Sequence, residues 1–179
     1  VNEKRSTIYH IAFVGVMAAL VFVSNYISIP VASSRLHVAN AVCLLAGMLF
    51  GGVKGGLAAA IGSALFDLTF PAYVAEAWIT FINKGAMALV AGLIVRSVPE
   101  PSRLRLILGG AAGAALYIAL YLLKSYFQIR YVTPVPVETI GPLLLEKLAA
   151  SSVNGIFAVI VAPLLYTVLA PGIKHLQKS

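Results

Sequence analysis

The sequence of 179 residues is long enough for one domain, and its composition excludes most soluble ones: 60% of the residues are hydrophobic and 11% are charged, with a mean hydropathy of +0.95. A soluble globular domain runs nearer half apolar and a quarter charged, and one of this size has too little interior to hide so much apolar side chain. The formal charge of +7, from 13 Lys+Arg against 6 Asp+Glu, would point to nucleic acid if the basic residues formed a soluble patch. They punctuate long apolar runs instead, which is the pattern of a polytopic membrane protein. The one cysteine, Cys43, lies inside such a run, so the sequence carries neither a disulfide framework nor a paired-cysteine metal motif.

A helix needs about 20 mostly apolar residues to cross the hydrocarbon core. Reading between charged or Pro/Gly-rich breaks, six helices are predicted: Ile8–Ile29, Leu36–Phe50, Gly55–Phe70, Glu76–Val95, Leu104–Phe127 and Leu143–Leu169. The second and third are short, and Gly51-Gly-Val-Lys-Gly-Gly56 between them reads as the tight turn of a helical hairpin. Ile8–Ile29 is longer than a signal-peptide core and has no clear cleavage site, so processing there is not expected. Residues 1–179 thus read as a single integral membrane domain. The longer loops, Pro30–Arg35 and Gln128–Pro142, fall on the same side.

Orientation follows from the basic residues. Lys4, Arg5, Lys54, Arg96, Arg103, Arg105, Lys174 and Lys178 fall on one side, while Arg35 and Arg130 fall on the other and Lys84, Lys124 and Lys147 lie within helices. That asymmetry predicts cytoplasmic N and C termini, and the even number of helices agrees. The positive charge is then mostly a matter of topology and calls for no nucleic acid.

With this topology, the intramembrane polar residues gather in the outer halves of the helices. The second helix starts there with His37 and Asn40, the third ends near Asp67, and the fourth starts with Trp78, Thr80, Asn83 and Lys84. The fifth ends with Lys124, Tyr126 and Gln128, and the sixth starts with Glu146, Lys147, Ser151 and Asn154. An ionisable group at such depth is costly unless paired or hydrated, and is a functional candidate for that reason. Thr80, Asn83, Lys84 and Met87 share one helical face, as do Lys147, Ser151 and Asn154. Converging polar faces make an outward-open pocket closed below by apolar residues. A pore would need polar residues continuing inward.

Other roles are open to each residue. Lys84 with Asp67, and Lys124 with Glu146, are alternatively buried ion pairs. Lys124 and Lys147 alternatively snorkel to the interface. Trp78 and Tyr126 either stack on a ligand or anchor in an aromatic belt, His37 either faces the ligand or caps its helix, and Ser151 and Asn154 either bind ligand or join helices. Small residues recur at i, i+4 in Gly15/Ala19, Gly51/Gly55, Gly52/Gly56, Ala58/Gly62 and Gly109/Gly113. Internal packing is expected for the later pairs. On the first helix a partner-facing surface is equally open, because that helix adds no polar residue to the pocket below Asn25.

Catalysis is not expected. The sequence has no His-Glu-x-x-His, no phosphate loop and no Gly-x-Ser-x-Gly elbow, and His10, His37 and His175 lie at different levels, so no metal site or cofactor is predicted. Any energy for transport would come from another subunit.

The stretch from Leu36-His-Val-Ala-Asn40 through Gly51-Gly-Val-Lys-Gly-Gly56 to Phe66-Asp67 resembles the second and third helices of the S components of energy-coupling factor (ECF) transporters. Ile79-Thr-Phe-Ile-Asn-Lys-Gly-Ala-Met-Ala-Leu-Val-Ala-Gly92 resembles their fourth helix, and Glu146-Lys-Leu-Ala-Ala-Ser-Ser-Val-Asn-Gly155 their sixth. The resemblance covers nearly the whole chain and is closest to the riboflavin subfamily, with relatives for pyridoxine, hydroxymethylpyrimidine and cobalamin.

It implies an all-α polytopic bundle of six transmembrane helices in a prokaryotic cytoplasmic membrane. Such a protein captures a vitamin in an outward-facing pocket beneath a lid, here Pro30–Arg35, and docks on a scaffold subunit carrying two ATPases. The substrate-binding candidates are Arg35, His37, Asn40, Asp67, Tyr73, Glu76, Trp78, Asn83, Lys84, Lys147, Ser151 and Asn154. The small-residue docking face of the first helix corresponds to Gly15/Ala19, with Ala12/Val16 as a weaker register. Two other functions remain open: a self-sufficient secondary transporter, which predicts polar residues at the midplane and often inverted repeats, and a ligand-free assembly subunit, in which the polar residues pair only with one another.

Overall fold

The computed structural model describes residues 2–31 and 34–176; the side chains of residues 1–7, 9–10, 28–36 and 174–179 lie outside the described set. All six predicted helices are present: α1 (Asn2–Ser24), α2 (Val38–Phe50), α3 (Gly52–Leu68), α4 (Ala77–Val95), α5 (Arg103–Phe127) and α6 (Val137–Leu176). A short antiparallel hairpin, β1 (Ser28–Val31) with β2 (Ser34–His37), joins α1 to α2, pairing Ser28 with His37 and Val31 with Ser34. A 3₁₀ turn (Val74–Glu76) leads into α4, and a π turn (Gln128–Val132) ends α5.

The boundaries move for physical reasons. The first helix stops at Ser24 rather than Ile29 because Pro30 disfavours the helical conformation at Ile29 and the β-branched Ile27, Ile29 and Val31 suit an extended strand. At its end, Ser24 Oγ and Asn25 Nδ2 both donate to the Val21 carbonyl, at 2.8 and 2.7 Å. The sixth helix extends beyond the predicted Leu143–Leu169 and contains Pro142, Pro163 and Pro171. Prolines mark a break in a soluble helix, whereas apolar membrane helices accommodate them through neighbouring chains and local adjustment. The predicted turn between the second and third helices narrows to one residue, Gly51, whose φ of +84° suits glycine.

The short helix α2 forms the axis. Nearly every residue from Ala39 to Leu49 is buried, and the helix packs against α3, α4 and α6. Glycines permit this closeness. A Cβ on Gly47 would fall on the Ala88 carbonyl of α4, one on Gly92 would meet Gly47 and Gly51–Gly52, and one on Gly113 would meet Met87. The i, i+4 glycine pairs of the later helices therefore serve internal packing. On α1, Met17, Ala18, Val21 and Ser24 are buried and α1 packs on α3, where the Ala18 carbonyl occupies the space a Cβ on Gly62 would need. The face with Ala12, Gly15, Val16 and Ala19 is exposed.

The exterior is apolar. Leu57, Ile61 and Leu65 on α3, and Ile156, Ile160, Leu164 and Val168 on α6, form outward stripes at one-turn spacing. Val74–Val95, Arg103–Val132 and Val137–Ile173 are long and apolar enough to cross a membrane, while Ile11–Ser24 and Val38–Phe50 are shorter apolar helices. Gly47→Ala should lower thermal stability in detergent by about 1–3 kcal/mol through overpacking against α4. Gly15→Ala, at a helical position with nothing within 4 Å of the added methyl, should not lower it; equal losses would refute the close-packing account.

Candidate functional site

A cavity of about 640 Å³ opens among the hairpin, the end of α1, the end of α3, the start of α4, the second half of α5 and the first half of α6. All these segments lie at the hairpin end of the bundle. Towards the opposite end, below the cavity, Leu44, Met48, Met87 and Val95 fill the core, so the cavity is blind.

Its floor is set by Lys84. The fourth helix carries this side chain inward at 8% exposure. Its Nζ donates to Asn40 Oδ1 at the start of α2 and lies 4.5 Å from the centre of the Tyr117 ring of α5. A buried ammonium needs such partners, and the electron-rich ring face supplies part of the attraction that water would otherwise give. One turn earlier on α4, Thr80 lines the same wall as Asp67 of α3, whose carboxyl group lies within electrostatic range of Lys84, Glu76 and Lys124.

Two aromatic groups flank this floor. The first comes from the turn after α1, from α3 and from the loop that follows α3: Tyr26 meets Phe66 edge-to-face at 4.8 Å, Phe66 meets Phe70 at 4.9 Å, and Phe70 meets Tyr73 at 6.1 Å. The second is Tyr117 with Tyr121 on α5, stacked at 6.1 Å with 13° between planes. The helix α4 packs against both α3 and α5, so it separates the two groups. Lys147 of α6 sits 5.7 Å from the Tyr121 ring centre. At the rim, Glu76 accepts from Lys124 Nζ at 2.6 Å and from Gln128 Nε2 at 3.0 Å, joining the entry of α4 to the end of α5.

Of the predicted site residues, His37, Asn40, Asp67, Tyr73, Glu76, Lys84, Ser151 and Asn154 line the cavity. The side chain of Arg35 lies outside the described residues. Trp78 points outward from α4 at 65% exposure. Asn83 is buried against neighbouring helices without reaching the cavity wall, because the lining face of α4 passes through Thr80 and Lys84 rather than the whole predicted stripe. Lys147 meets the back of the wall through Tyr121. The considered pairings change as well: Lys124 pairs with Glu76, leaving Glu146 exposed, and Lys84 turns to Asn40 and Tyr117. His37 occupies the cap position of α2, but its side chain makes no capping bond.

The aromatic lining was missed, namely Tyr26, Phe66, Phe70, Tyr117 and Tyr121, together with Asn25 and Ala150. Phe66/Phe70 and Tyr117/Tyr121 are i, i+4 pairs level with the polar residues, a signal present in the sequence. Among the described residues, no group of three or more His, Cys, Asp or Glu is placed to hold a metal ion. Cys43 is buried with its Sγ 3.7 Å from Ser63 Oγ, away from the cavity wall.

Comparison with known proteins follows from this geometry. Residues 5–171 match the family described as "ECF-type riboflavin transporter, S component". Over 95 residues the chain is 34% identical to a "UPF0397 protein" of Lactiplantibacillus plantarum (strain ATCC BAA-793 / NCIMB 8826 / WCFS1), a match covering 51% of this chain and 50% of that protein. The chain thus spans about half the length of the curated relative it matches. A solved structure described as "Structure and mechanism of the S component of a bacterial ECF transporter" superposes with a TM-score of 0.70 at 21% identity, covering 94% of this chain and 99% of that one; at that identity the likeness is one of fold. With the family match spanning nearly its whole length, the chain belongs to the ECF-type riboflavin transporter S component family, whose members are membrane-embedded substrate-binding subunits.

Proposed function

We propose that this S component captures a planar heteroaromatic vitamin, with riboflavin the best fit, at the hairpin end of the bundle, which faces the outside of a prokaryotic cytoplasmic membrane. The observation that carries the reading is a polar floor of Asn40, Lys84 and Asp67 flanked by two aromatic groups within a cavity of about 640 Å³. That size is ordinary for a small-molecule site, and its makeup, aromatic walls interleaved with many polar side chains, suits a flat ligand with several hydrogen-bonding groups.

A flavin matches this makeup in three ways. Its flat tricyclic ring suits stacking and edge contacts with the tyrosines and phenylalanines. Its carbonyl oxygens complement the Lys84 ammonium, and its imide N–H complements the Asp67 carboxylate. Its polyol chain has partners in Glu76, Ser151 and Asn25, which also line the cavity. A single-ring vitamin such as pyridoxine or hydroxymethylpyrimidine would occupy part of the volume. A corrinoid exceeds it.

Delivery then depends on partners, a membrane scaffold subunit and two ATPases, with ATP hydrolysed by them and not by this chain. The exposed small-residue face of α1, with Ala12, Gly15, Val16 and Ala19, suits close approach of a partner helix. Nothing lies within 4 Å of a Cβ added at Gly15, so a larger residue there alters the surface without disturbing the bundle.

Titrating purified protein with riboflavin should quench flavin fluorescence with submicromolar affinity. Lys84→Ala should weaken binding about tenfold to a hundredfold, the scale of one hydrogen bond to a charged group. Absence of binding to the unaltered protein, or full affinity in the variant, would refute the site assignment. For docking, Gly15→Leu should abolish co-purification of scaffold and ATPases with riboflavin binding retained. Undiminished co-purification would remove α1 from the interface.

A further inference from the structure

The cavity is bounded on one side by the hairpin and on the other by α6, and one side chain joins them. His37, the last residue of β2, donates its backbone N–H to Asn154 Oδ1 at 2.6 Å. The other end of the same carboxamide, Asn154 Nδ2, donates to the Ala150 carbonyl one turn back on α6 at 3.0 Å. The amide is therefore oriented by its own helix, and its oxygen is presented to the hairpin. Asn154 is 8% exposed, and both residues border the cavity. The bond is part-buried, with its acceptor sheltered and its donor residue His37 exposed, so water competes with it only in part and its loss carries the ordinary cost of one hydrogen bond.

The position of this bond gives it leverage. His37 is where the strand becomes helix: its φ of −96° and ψ of 115° are extended, and α2 starts at the next residue. The antiparallel pairing of β2 with β1 couples His37 to the rest of the hairpin, and Val38 N–H donates to the Ile27 carbonyl at 3.3 Å just after α1. Holding His37 against α6 thus holds the hairpin and the start of α2 together along one edge of the mouth.

We propose that Asn154 is a positioning residue, a latch fastening the hairpin to α6, and that it governs how long a ligand stays in the cavity rather than which ligand is recognised. The part concerning ligand residence rests on the binding function proposed above; the latch does not. Its carboxamide bonds both the Ala150 carbonyl and the His37 N–H, and opening of the mouth on the α6 side requires the second of these bonds to break.

The test uses the full chain in lipid nanodiscs. Without ligand, Asn154→Ala should accelerate hydrogen–deuterium exchange over residues 34–41 about tenfold, the equivalent of one net hydrogen bond, with exchange in the middle of α4 unchanged. With riboflavin, its release should speed up by a similar factor, and entry should speed up as well, so that affinity falls less than the release rate rises. His37→Pro removes the same N–H while leaving Asn154 in place; the extended ψ there suits proline, while φ, at −96°, has to move by about 30° towards the ring value. Compared with His37→Ala, which keeps the N–H, it should show the same faster exchange at the flanking amides and faster release. It also provides a second route should Asn154→Ala fail to fold.

Combining Asn154→Ala with His37→Pro should add nothing to either alone, since both break one bond. Additive effects, or weaker binding in Asn154→Ala with exchange over 34–41 unchanged, would make Asn154 a ligand-contacting residue and overturn the latch. If riboflavin does not bind the unaltered protein, the binding proposal fails, while the exchange result still decides the latch.

Discussion

A lysine amine within an apolar helical bundle persists only where its protons and charge are accommodated. Lys84 achieves this with two groups from two other helices, the Asn40 carboxamide at the start of α2 and the Tyr117 ring on α5. The ammonium consequently ties three helices together at the depth of the cavity floor. Its hydrogen bond goes to a neutral amide, and no ion pair joins it to Asp67, which lines the same cavity within electrostatic range. Under the proposed function, such a floor would present a ligand with one donor and one acceptor, both held by the packing of the helices.

That floor can be held only because the bundle beneath it is tight and dry. The short α2 threads between α3, α4 and α6, and glycines at 47, 92 and 113 let backbone meet backbone where any side chain would separate the helices. Leu44, Met48, Met87 and Val95 fill the remainder with negligible exposure. The polar end and the apolar end are thus two parts of one design. Close packing at one end leaves the cavity at the other, and the hairpin with its bond to Asn154 borders that opening.

Much of this was legible in the sequence. Charge spacing and apolar runs marked all six helices, and the shared depth of His37, Asn40, Asp67, Lys84, Ser151 and Asn154 marked the end at which they converge. Helical period alone did not separate Thr80 and Lys84 from Asn83, since neighbours on one stripe can point to either side of a packing seam. Of the alternatives open to Lys124, neither pairing with Glu146 nor snorkelling named its partner Glu76, which precedes α4 and comes within reach of α5 through the 3₁₀ turn, a contact over 48 positions that no local pattern encodes. The aromatic walls were overlooked for a different reason. In an apolar sequence, Phe66, Phe70, Tyr117 and Tyr121 look like any other packing residues until a cavity is seen beside them. The strands escaped notice because a hairpin of four-residue strands carries too little alternation to stand out against flanking apolar helices.

The central claim, that water and ligand enter this bundle from the hairpin end alone, is tested most directly by single-cysteine accessibility in sealed, oriented vesicles, with Cys43→Ala as background. A membrane-impermeant maleimide added on the hairpin side should modify Thr80→Cys and Tyr121→Cys, should be slowed by bound riboflavin, and should spare Met87→Cys and Val95→Cys. Modification of the cavity positions only from the side bearing the termini, or equal reaction at all four, would contradict the account.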